Sequence, residues 1–509
     1  MKQEIFRMER VTYIENGMVM LKDFHLQIYQ GEIMGMVPLN NHGLTSFLKL
    51  LRTNLSLHDG YVYYCGEKVN SWMGAVRPAN RISVIQAKSS LVEHMTVADN
   101  IFVLRQGFHQ ELIHSRLLKR QMEPFLADIG IDIPAERYVE ELTVFERVIA
   151  ELLRAVILGK RLIVLCEIST LISYEELEKL HEILHHYAKK GFTFLYISSH
   201  LEEIARICDR VARLSNGRIQ KITDREEMEA EIQRICPEEY KSMVQSHREN
   251  SRHKKSSEAA MSWEQPSSDV CGGFSFQVHK GECLVIQVAE NEQFQRIVRI
   301  LTGKSRREAA QVRIGQSLIS DLTGDCRVAV VQELATRTML FGELSYMENL
   351  CMSLARRMPY VWLNRKIRNN IRTEYGPILG EEVFDMAVDE LSERQKYQLI
   401  YTRVLLQKPR VVFCIRPFQG ADVSHRMFIW NMLEMLLEQG IAVVIVSVGL
   451  SDSLALADRL MILQKGGGKK EISRENFGTI SENVPWTHLY GKQETAKENG
   501  KKMEKSFPV

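Results

Sequence analysis

The sequence predicts an α/β protein built from two domains of the same kind in tandem. The chain has 509 residues, and single hydrophobic cores stop growing near about 250–300 residues, so two cores are expected. Four sequence blocks recur in the same order, offset by roughly 250 residues. Short apolar runs alternate with charged helical stretches, which is the pattern of a mostly parallel sheet covered by helices.

The repeated blocks relate the two halves of the chain in detail. Their order and approximate spacing are kept, which a chance similarity would not achieve. In sequence order, the pairs are GEIMGMV from Gly31 with GECLVIQV from Gly281, LVEHMTVADNIFVL from Leu91 with LFGELSYMENLCMSL from Leu340, LTVFERVIAELLRAVILGKRLIVLCEIS from Leu142 with LSERQKYQLIYTRVLLQKPRVVFCIRPF from Leu391, and FTFLYISSHLEE from Phe192 with AVVIVSVGLSDS from Ala442.

Local patterns predict the individual elements and the domain limits. The apolar runs Leu162–Cys166 and Phe194–Ser198 predict strands buried on both faces, and the charged stretch from Tyr174 predicts a helix. The polar composition of residues 237–270 predicts a linker, and the Lys-rich residues 486–509 predict a disordered basic tail. The two domains are therefore expected at residues 1–236 and 271–485.

Composition narrows the class of protein. The chain is 45% apolar and 26% charged, as ordinary globular proteins are, and its net charge of +2 does not indicate a nucleic-acid partner. Nine scattered cysteines without a CxxC pair argue against a zinc site or a disulfide framework and favour a reducing compartment. No apolar run reaches the roughly 18 residues of a membrane span, and no signal peptide is present, so a cytoplasmic protein is expected.

The block order and phrases such as HMTVADNIF resemble a known family. From about Glu4 to Gly467 the chain is similar to the tandem ATP-binding subunits of bacterial sugar importers of the ATP-binding cassette (ABC) superfamily, of the ribose, galactose and xylose type. The resemblance implies two P-loop NTPase-type (ABC) domains with helical subdomains, ATP and Mg²⁺ as cofactors, and integral membrane permease subunits as partners. A periplasmic or lipid-anchored substrate-binding protein would be an indirect partner, and the chain would lie at the inner face of the cell membrane.

The resemblance also assigns a nucleotide site to the first domain. The phosphate-binding loop, G-x-x-x-x-G-K-[ST] in the family, falls at Pro38–Ser46, where Gly43, Thr45 and Ser46 are retained as nucleotide-binding residues. Thr45 and Gln86 take the positions of the metal-site residues. Glu167 aligns with the glutamate that polarises the attacking water, and His200 aligns with the histidine that contacts the γ-phosphate, which makes both catalytic candidates.

Other residues of this first site are replaced. Leu44 stands at the position of the phosphate-binding lysine, Pro38 at the first glycine, and Cys166 at the aspartate that holds Mg²⁺ through water. Phe145 occupies a glycine position in the signature loop, LSGGQ in the family, that approaches the phosphate of the opposite site. Tyr13 is open to two interpretations, a ring that stacks on adenine or a residue at a strand edge.

The second domain departs further from the family pattern. Its loop position, 288–295, contains no glycine, and Phe294 and Gln295 replace the lysine and the metal-site hydroxyl. Ile415-Arg416 stands for Asp-Glu, and Gly449 for the histidine. Only Ser392 of its signature remains as a nucleotide-binding residue, expected to face the first domain's loop. Glu393 and Arg394 follow it, and a solvated helix start is preferred over a functional pair.

Three hypotheses for function follow. The favoured one is an importer subunit that docks to a permease but binds and hydrolyses ATP weakly or not at all, because the lost charges are those that stabilise phosphoryl transfer. The first alternative is an active ATPase that couples hydrolysis to sugar or nucleoside uptake, since Glu167 and His200 remain. The second is a soluble regulatory or scaffold protein. Members of the family hydrolyse ATP, but catalytic motifs are replaced in both domains of this chain. The sequence therefore leaves open whether the protein is an enzyme.

Overall fold

The computed structural model describes residues 3–103, 115–227, 258–265, 273–288, 290–304, 310–319, 321–356, 365–450, 453–464 and 468–480. The chain divides into two compact units, Met1–Cys236 with Asp422–Ser424 and Pro237–Ala421 with His425–Val509. Each has an antiparallel sheet, a mostly parallel sheet and covering helices, so the predicted α/β fold class is confirmed.

The first domain contains an antiparallel sheet and a six-stranded, mostly parallel sheet. The antiparallel sheet has the order β2-β1-β4-β5-β6, with strands β1 Glu4–Glu15, β2 Met18–Tyr29, β4 Asp59–Tyr64, β5 Glu67–Ser71 and β6 Gly74–Ala75. The second sheet has the order β11-β10-β3-β9-β8-β7, with strands β3 Ile33–Pro38, β7 Ile82–Gln86, β8 Leu162–Cys166, β9 Thr193–Ile197, β10 Arg210–Ser215 and β11 Arg218–Asp224. Only β11 runs antiparallel to its neighbour.

Five α-helices are described in the first domain, and they cover the parallel sheet and form a helical subdomain. They are α1 Leu44–Arg52, α2 Ser115–Ile129, α3 Val144–Ile157, α4 Tyr174–Lys189 and α5 Leu201–Ile207, with a π-helical turn at Asp99–Val103 and a 3₁₀ turn at Val139–Glu141. Strand β8 matches the predicted bounds, and β9 begins and ends one residue earlier than predicted. Alternate residues of β8 enter different core clusters, Ile163 in one and Val164 in the other, which explains its unbroken apolar sequence.

The second domain repeats this architecture. Its antiparallel sheet has the order β13-β12-β15-β16, with β12 Ala259–Gln265, β13 Phe274–His279, β15 Gln311–Ile314 and β16 Ser317–Ile319. Its mostly parallel sheet has the order β17-β18-β19-β14-β20-β21, with β14 Cys283–Val288, β17 Val328–Val331, β18 Val411–Ile415, β19 Ala442–Ser447, β20 Arg459–Leu463 and β21 Lys469–Ser473. Read from β17, this order reproduces the order of the first domain read from β7.

The helices of the second domain follow the same plan. They are α6 Asn291–Leu301, α7 Ala335–Thr338, α8 Tyr346–Cys351, α9 Arg365–Leu379, α10 Glu393–Gln407, α11 Val423–Glu438 and α12 Ser453–Leu456. Four 3₁₀ turns lie at Met352–Arg356, Glu381–Asp385, Val388–Glu390 and Arg474–Thr479.

Equivalent hydrogen bonds confirm that the two halves are repeats of one structure. An aspartate accepts the first N–H of the central strand in both domains: Asp209 from Ile33 and Asp458 from Cys283, each at 2.9 Å. These carboxylates satisfy backbone donors that burial would otherwise leave unpaired at a cost in stability.

The block that resembles the family most closely also has the same structure in both domains. Asn100 accepts the N–H of Val92 at 2.8 Å, and Asn349 accepts the N–H of Phe341 at 2.9 Å. Both asparagines are fully buried and also donate to the carbonyl oxygen of the same residue whose N–H they accept. The recurring sequence therefore encodes one recurring turn.

The predicted linker is wrong for part of its length. Strand β12, residues 259–265, lies inside the range 237–270 and pairs with β13 and β15 in the second domain's sheet. Polar residues alternate here with apolar ones, such as Met261 and Trp263, that point into the core, so the segment is a strand and not a linker. Apart from Glu258, the rest of the predicted linker and the predicted basic tail lie outside the described residues. Across the ranges that the structure describes, no helix is long and apolar enough to span a membrane.

The aspartate at the central strand yields a stability prediction. Replacing Asp458 by Ala leaves the buried N–H of Cys283 without its acceptor, which should lower the free energy of unfolding by about 1–3 kcal/mol. Urea unfolding followed by tryptophan fluorescence measures this, because Trp263 and Trp430 are buried in the second domain. The exposed Asp389→Ala is the matched control and should change stability by less than about 0.5 kcal/mol. Equal effects of the two substitutions would contradict the assigned role.

Candidate nucleotide site

The predicted site residues of the first domain lie at one edge of its parallel sheet. Strands β3, β9, β8 and β7 are parallel neighbours, so their carboxyl ends lie at the same edge. The loop before α1 follows β3, His200 follows β9, Glu167 follows β8, and Gln86 ends β7. This is the edge at which open α/β sheets bind ligands. The structure thus brings together Gly43, Thr45, Ser46, Gln86, Glu167 and His200.

Neighbouring backbone and side chains hold the loop between β3 and α1. The N–H of Leu39 donates to the carbonyl of Leu214 at 2.9 Å. The amide of Asn40 donates to Asn216 at 2.9 Å and accepts the N–H of Asn216 at 3.1 Å. Reciprocal bonds of this kind tie the loop to the turn between β10 and β11.

The retained glycine of the loop has a packing role of its own. Gly43 has a φ of +82°, and a Cβ on it would lie 2.4 Å from the carbonyl oxygen of Met20. Only glycine fits both the backbone conformation and this close approach of the β1–β2 hairpin. Retention of Gly43 is therefore explained without any bound phosphate.

The three residues after Gly43 have different environments. Leu44 is buried in the core of the antiparallel and parallel sheets, with 8% of its surface exposed. Thr45 is exposed. The Ser46 hydroxyl donates to the Glu15 carboxylate at 2.8 Å, and Lys49 donates to the same carboxylate at 2.5 Å. Of the two retained hydroxyl groups, the exposed one is that of Thr45.

Cys166 and Gln86 are direct neighbours across the sheet. They are paired residues of the parallel strands β8 and β7. Burial, and to a smaller degree the charge of Glu167, raises the pKa of the Cys166 thiol to about 12. The thiol is therefore neutral at physiological pH, so the position expected to carry a metal-orienting carboxylate carries no charge.

Glu167 is placed by a specific backbone geometry. It has a φ of +53°, and its N–H donates to the carbonyl of Ile197 at 2.8 Å. The Glu167 carboxylate accepts the N–H of Ser199 at 3.0 Å. Because Ser199 directly precedes His200, this bond holds the two catalytic candidates next to each other.

His200 belongs to a buried polar cluster around Glu203. The Glu203 carboxylate accepts hydrogen bonds from the Tyr196 hydroxyl and, at 3.0 Å, from the Ser198 hydroxyl. His200 Nδ1 lies 3.9 Å from this carboxylate, and His181 Nε2 lies 3.8 Å from it. Burial alone would raise the pKa of Glu203, but the hydrogen bond from His181 and the charges of His200 and His181 lower it to about 2.

Glu203 is a buried neighbour of His200 that the sequence pattern did not single out. A carboxylate three residues after a histidine at a helix start was the available signal, because residues at i and i+3 share one helix face. His200 caps α5 and Glu203 lies in its first turn. The Glu203 carboxylate therefore lies near the His200 ring, 3.9 Å from its Nδ1.

The second domain has a different connection at the equivalent edge. Strand β14 ends at Val288 and α6 begins at Asn291, so two residues replace the five between β3 and α1. Phe294 is fully buried, and the Arg416 guanidinium carbon lies 4.1 Å from the centre of its ring. A turn this short leaves no loop long enough to surround a phosphate.

Arg416 is the structural counterpart of Glu167. It also has a positive φ, +43°, and its N–H donates to the carbonyl of Val446 at 3.0 Å. Its side chain is buried, and Glu333 lies 3.5 Å from Nη1. Burial lowers the pKa of Arg416, while the charge of Glu333 opposes that shift. The repeat thus preserves the backbone and exchanges a carboxylate for a cation.

The second domain has a counterpart of Gln86 that the sequence pattern had not singled out. Val331 pairs with Cys414, one residue before the end of β18, just as Ile85 pairs with Leu165, one residue before the end of β8. Gln332 therefore occupies the position that Gln86 holds in the first domain. The aligned strand endings VIQ and VVQ were the signal for it.

Both signature positions begin a helix with a capping box. Thr143 caps α3 with Glu146, and Ser392 caps α10 with Gln395. The Ser392 hydroxyl donates to Gln395 at 2.8 Å. Glu393 lies in the first turn of α10, 3.2 Å from Lys396, where a carboxylate is favoured by the helix dipole. Phe145 is buried in the core.

The described side chains at the two candidate sites lack several of the groups that Mg-ATP requires. The first domain supplies an exposed hydroxyl at Thr45 and an amide at Gln86, but Leu44 is aliphatic and buried, and Cys166 is a neutral thiol. Phosphate groups need positive charge, and Mg²⁺ needs hard oxygen ligands, ionised carboxylates above all. The residues present therefore do not fit a complete site for Mg-ATP in either domain.

Comparisons with known proteins agree with the repeat. A family profile described as ABC transporter matches residues 21–170. The chain is 26% identical over 485 residues to the ribose import ATP-binding protein RbsA of Clostridium perfringens, covering 90% of this chain and 93% of that protein. It is 24% identical over 510 residues to the xylose import ATP-binding protein XylG of Moorella thermoacetica, covering 93% and 97% respectively. These similarities extend through both domains.

Solved structures of single cassettes are also similar to part of the chain. The ADP conformation of MJ1267, an ATP-binding cassette of an ABC transporter, has a TM-score of 0.38 and 16% identity, covering 44% of this chain and 93% of that one. The cbiO1 protein of Clostridium perfringens, part of the transporter complex cbiONQ, has a TM-score of 0.40 and 16% identity, covering 46% and 95%.

The Glu203 cluster yields a prediction on pH. The pKa of Glu203 falls from an ordinary 4.5 to about 2 on folding, so its ionised form stabilises the folded state above about pH 4.5, and that contribution is lost as the pH falls towards about 2. The difference in free energy of unfolding between the wild type and Glu203→Gln should therefore shrink over this range. Urea unfolding at several pH values measures it, with the exposed Glu182→Gln on α4 as matched control. A difference that stays constant or grows as the pH falls would contradict the assigned cluster.

Proposed function

We propose, from the ABC transporter domain that this chain carries over residues 21–170, that the protein is a subunit of a sugar-type importer that docks to a membrane permease but has weak or lost ATP binding and hydrolysis. It would act as a pseudo-ATPase at the inner face of the cell membrane. A substrate-binding protein would be reached only through the permease, and no nucleic acid is involved.

The assignment to an importer is supported by the extent of the similarity. Relatives named for ribose and xylose import match 90–93% of this chain and 93–97% of their own length. The similarity therefore covers both domains and their order, in addition to the one domain matched by the family profile. Which sugar or nucleoside is carried is left to the permease, because substrate choice in such importers lies in other subunits.

The observation that carries the pseudo-ATPase proposal is the environment of Leu44. Its side chain belongs to the hydrophobic core, so the position expected to neutralise the outer phosphates is committed to packing. A lost charged hydrogen bond costs roughly 1.5–3 kcal/mol, and the uncharged Cys166 and the proline at position 38 remove further contacts. These losses share one site and are not expected to add fully.

The second domain supports the same proposal independently. Its two-residue connection between β14 and α6 replaces the loop, and the ring of Phe294 lies beneath the Arg416 guanidinium. A positive charge stands where the family has the carboxylate that polarises water. An arginine cannot take up the proton of an attacking water, because it stays protonated in proteins.

Docking is supported by a groove in the second domain. The groove has a volume of about 460 Å³ and is lined by residues that include Gln332, Met339 and Arg403. The exposed side chains of Phe341 and Met352 also line it, 53% and 40% exposed. Both belong to the recurring block that, in the resembled family, receives a short helix of the permease. A groove lined by both apolar and polar side chains suits an amphipathic helix.

An active ATPase is the second candidate, and one observation favours it. The bond from Ser199 to Glu167 holds Glu167 beside His200, as a catalytic pair would require. Under that alternative, the unmodified chain would hydrolyse ATP, and Glu167→Gln would abolish this turnover. A soluble regulator is the third candidate, and it predicts no association with membranes.

A nucleotide titration tests the pseudo-ATPase proposal. We expect the unmodified chain to bind Mg-ATP with a dissociation constant above about 1 mM, that is, with less than about 4 kcal/mol of binding free energy. The triple variant Pro38→Gly, Leu44→Lys, Cys166→Asp should bind at least about tenfold more tightly, since Thr45 and Gln86 are present. Isothermal titration calorimetry with and without Mg²⁺ measures both.

The matched control for the titration is a variant with its substitution in the second domain. Gln295→Lys, at the exposed residue next to Phe294 on α6, should leave ATP binding unchanged, because no long loop precedes α6. Low-micromolar binding and turnover by the unmodified chain, with loss of turnover in Glu167→Gln, would show that the active-ATPase alternative is correct.

Substitution in the groove tests docking. The double variant Phe341→Asp, Met352→Asp places charges on its apolar surface and should lower co-sedimentation with native membranes at least about fivefold, because each buried charge without a partner is costly. Leu318→Asp, at a residue that is 60% exposed and does not line the groove, is the control and should co-sediment like the wild type. Equal sedimentation of all three proteins would refute the proposed docking surface.

A further inference from the structure

We propose that Glu15 is a specificity-determining residue of the first domain's site, an internal anion held on α1 that excludes phosphate-bearing ligands. This inference rests on the proposed function and deepens it, because it adds a group that repels nucleotide to the groups whose loss weakens binding. The sequence pattern did not reveal it, since Glu15 lies outside the loop.

The geometry places one carboxylate between two donors of the same helix. Glu15 is the last residue of β1 and pairs with Met18 in the β1–β2 hairpin. Its Oε2 accepts the Ser46 hydroxyl at 2.8 Å, and its Oε1 accepts the Lys49 ammonium at 2.5 Å. Ser46 and Lys49 are three residues apart and therefore share one face of α1.

The hairpin that carries Glu15 is packed against the loop. Besides the contact of Met20 with Gly43, a Cβ on Gly217 would lie 2.0 Å from the same Met20 carbonyl oxygen. The Val19 carbonyl lies 2.9 Å from Nε2 of His42 in the loop. The hairpin therefore cannot swing away without breaking these contacts, and Glu15 stays at α1.

The charge balance makes this carboxylate a substitute for an external anion. The first turn of α1 contains no acidic residue of its own, and the N-terminal end of a helix carries partial positive charge that attracts anions. Glu15 supplies the negative charge from another strand. The hydrogen bonds from Lys49 and then from Ser46 lower the pKa of Glu15, so it is ionised at neutral pH.

The contact also engages one predicted nucleotide-binding group and a nearby cation. Ser46 is one of the predicted nucleotide-binding residues, and its hydroxyl donates to Glu15. Lys49 is a cation on the same helix, but its ammonium group is engaged by the same carboxylate. A ligand phosphate near α1 would meet a negative charge and would have to displace both donors.

Tyr13 does not offer a compensating contact. Its ring is buried in the core, with 8% of the residue exposed, which favours the interpretation as a strand residue over adenine stacking. Two residues further along β1, the Glu15 carboxylate contacts Ser46 and Lys49 of α1. This end of the strand therefore presents a charged group to α1.

The test uses the full chain and inorganic pyrophosphate and Mg-ATP as probes. Glu15→Gln removes the charge and retains an oxygen that can accept the Ser46 hydroxyl, so it isolates the electrostatic effect. In the triple variant Pro38→Gly, Leu44→Lys, Cys166→Asp, adding Glu15→Gln should raise the affinity for pyrophosphate about tenfold, as expected for removing one nearby like charge.

A charge series separates this role from a merely structural one. Lys49→Met leaves Glu15 without its neutralising partner and should lower the affinity in the same background, opposite to Glu15→Gln. A contact that only stabilised the fold would shift both variants in the same direction. Glu9→Gln, also on β1 and paired with Arg7, is the matched control and should stay within about twofold of its parent.

The ratio of affinities between Glu15→Gln and its parent decides the proposal. A change smaller than about twofold for Glu15→Gln, in both the unmodified chain and the triple variant, overturns it. Tight binding by the unmodified chain refutes the pseudo-ATPase proposal, whereas the ratio between Glu15→Gln and its parent decides the role of Glu15 separately. Circular dichroism of every variant confirms that the compared proteins are folded.

Discussion

The structure of each domain depends on a parallel sheet whose central strands are buried on both faces. Strand β8 is the example: its residues alternate between two core clusters, and none is exposed. Strands buried in this way can carry polar groups only where they end, because an unpaired polar group in the sheet interior is costly. The chemistry of the protein is therefore confined to the carboxyl edge of the sheet and to the turns that follow it, in both domains.

The conservation of that backbone explains how one fold tolerates such different site residues. Glu167 and Arg416 occupy equivalent turns, each with a positive φ and with a bond from its N–H to the adjacent strand. The turn depends on backbone geometry, so its side chain is free to change from carboxylate to guanidinium. Backbone geometry also determines the residue at position 43 of the loop. The close approach of Gly43 to the hairpin requires glycine whether or not phosphate binds.

Several residues of the first domain's candidate site have partners within the protein. The Ser46 hydroxyl donates to Glu15, the side chain of Leu44 is packed in the core, and the imidazole of His200 lies 3.9 Å from the Glu203 carboxylate. These contacts form without a bound nucleotide. In contrast to the site residues, the turn built on Asn100 and Asn349 is the same in both domains. This turn lies in the sequence block that is proposed for docking.

The sequence by itself determined the repeated α/β fold and predicted the candidate site residues and their replacements, because periodicity and block order are local properties of the chain. It did not reveal strand β12, whose alternating polar residues resembled a linker, nor the partners of Glu15 and Glu203. Glu15 meets Ser46 across 31 residues of chain, and Ser199 meets Glu167 across 32. Only the tertiary structure decided these pairings, because a hydrogen bond depends on distances of a few ångströms, and such distances between remote residues exist only once the sheets have packed.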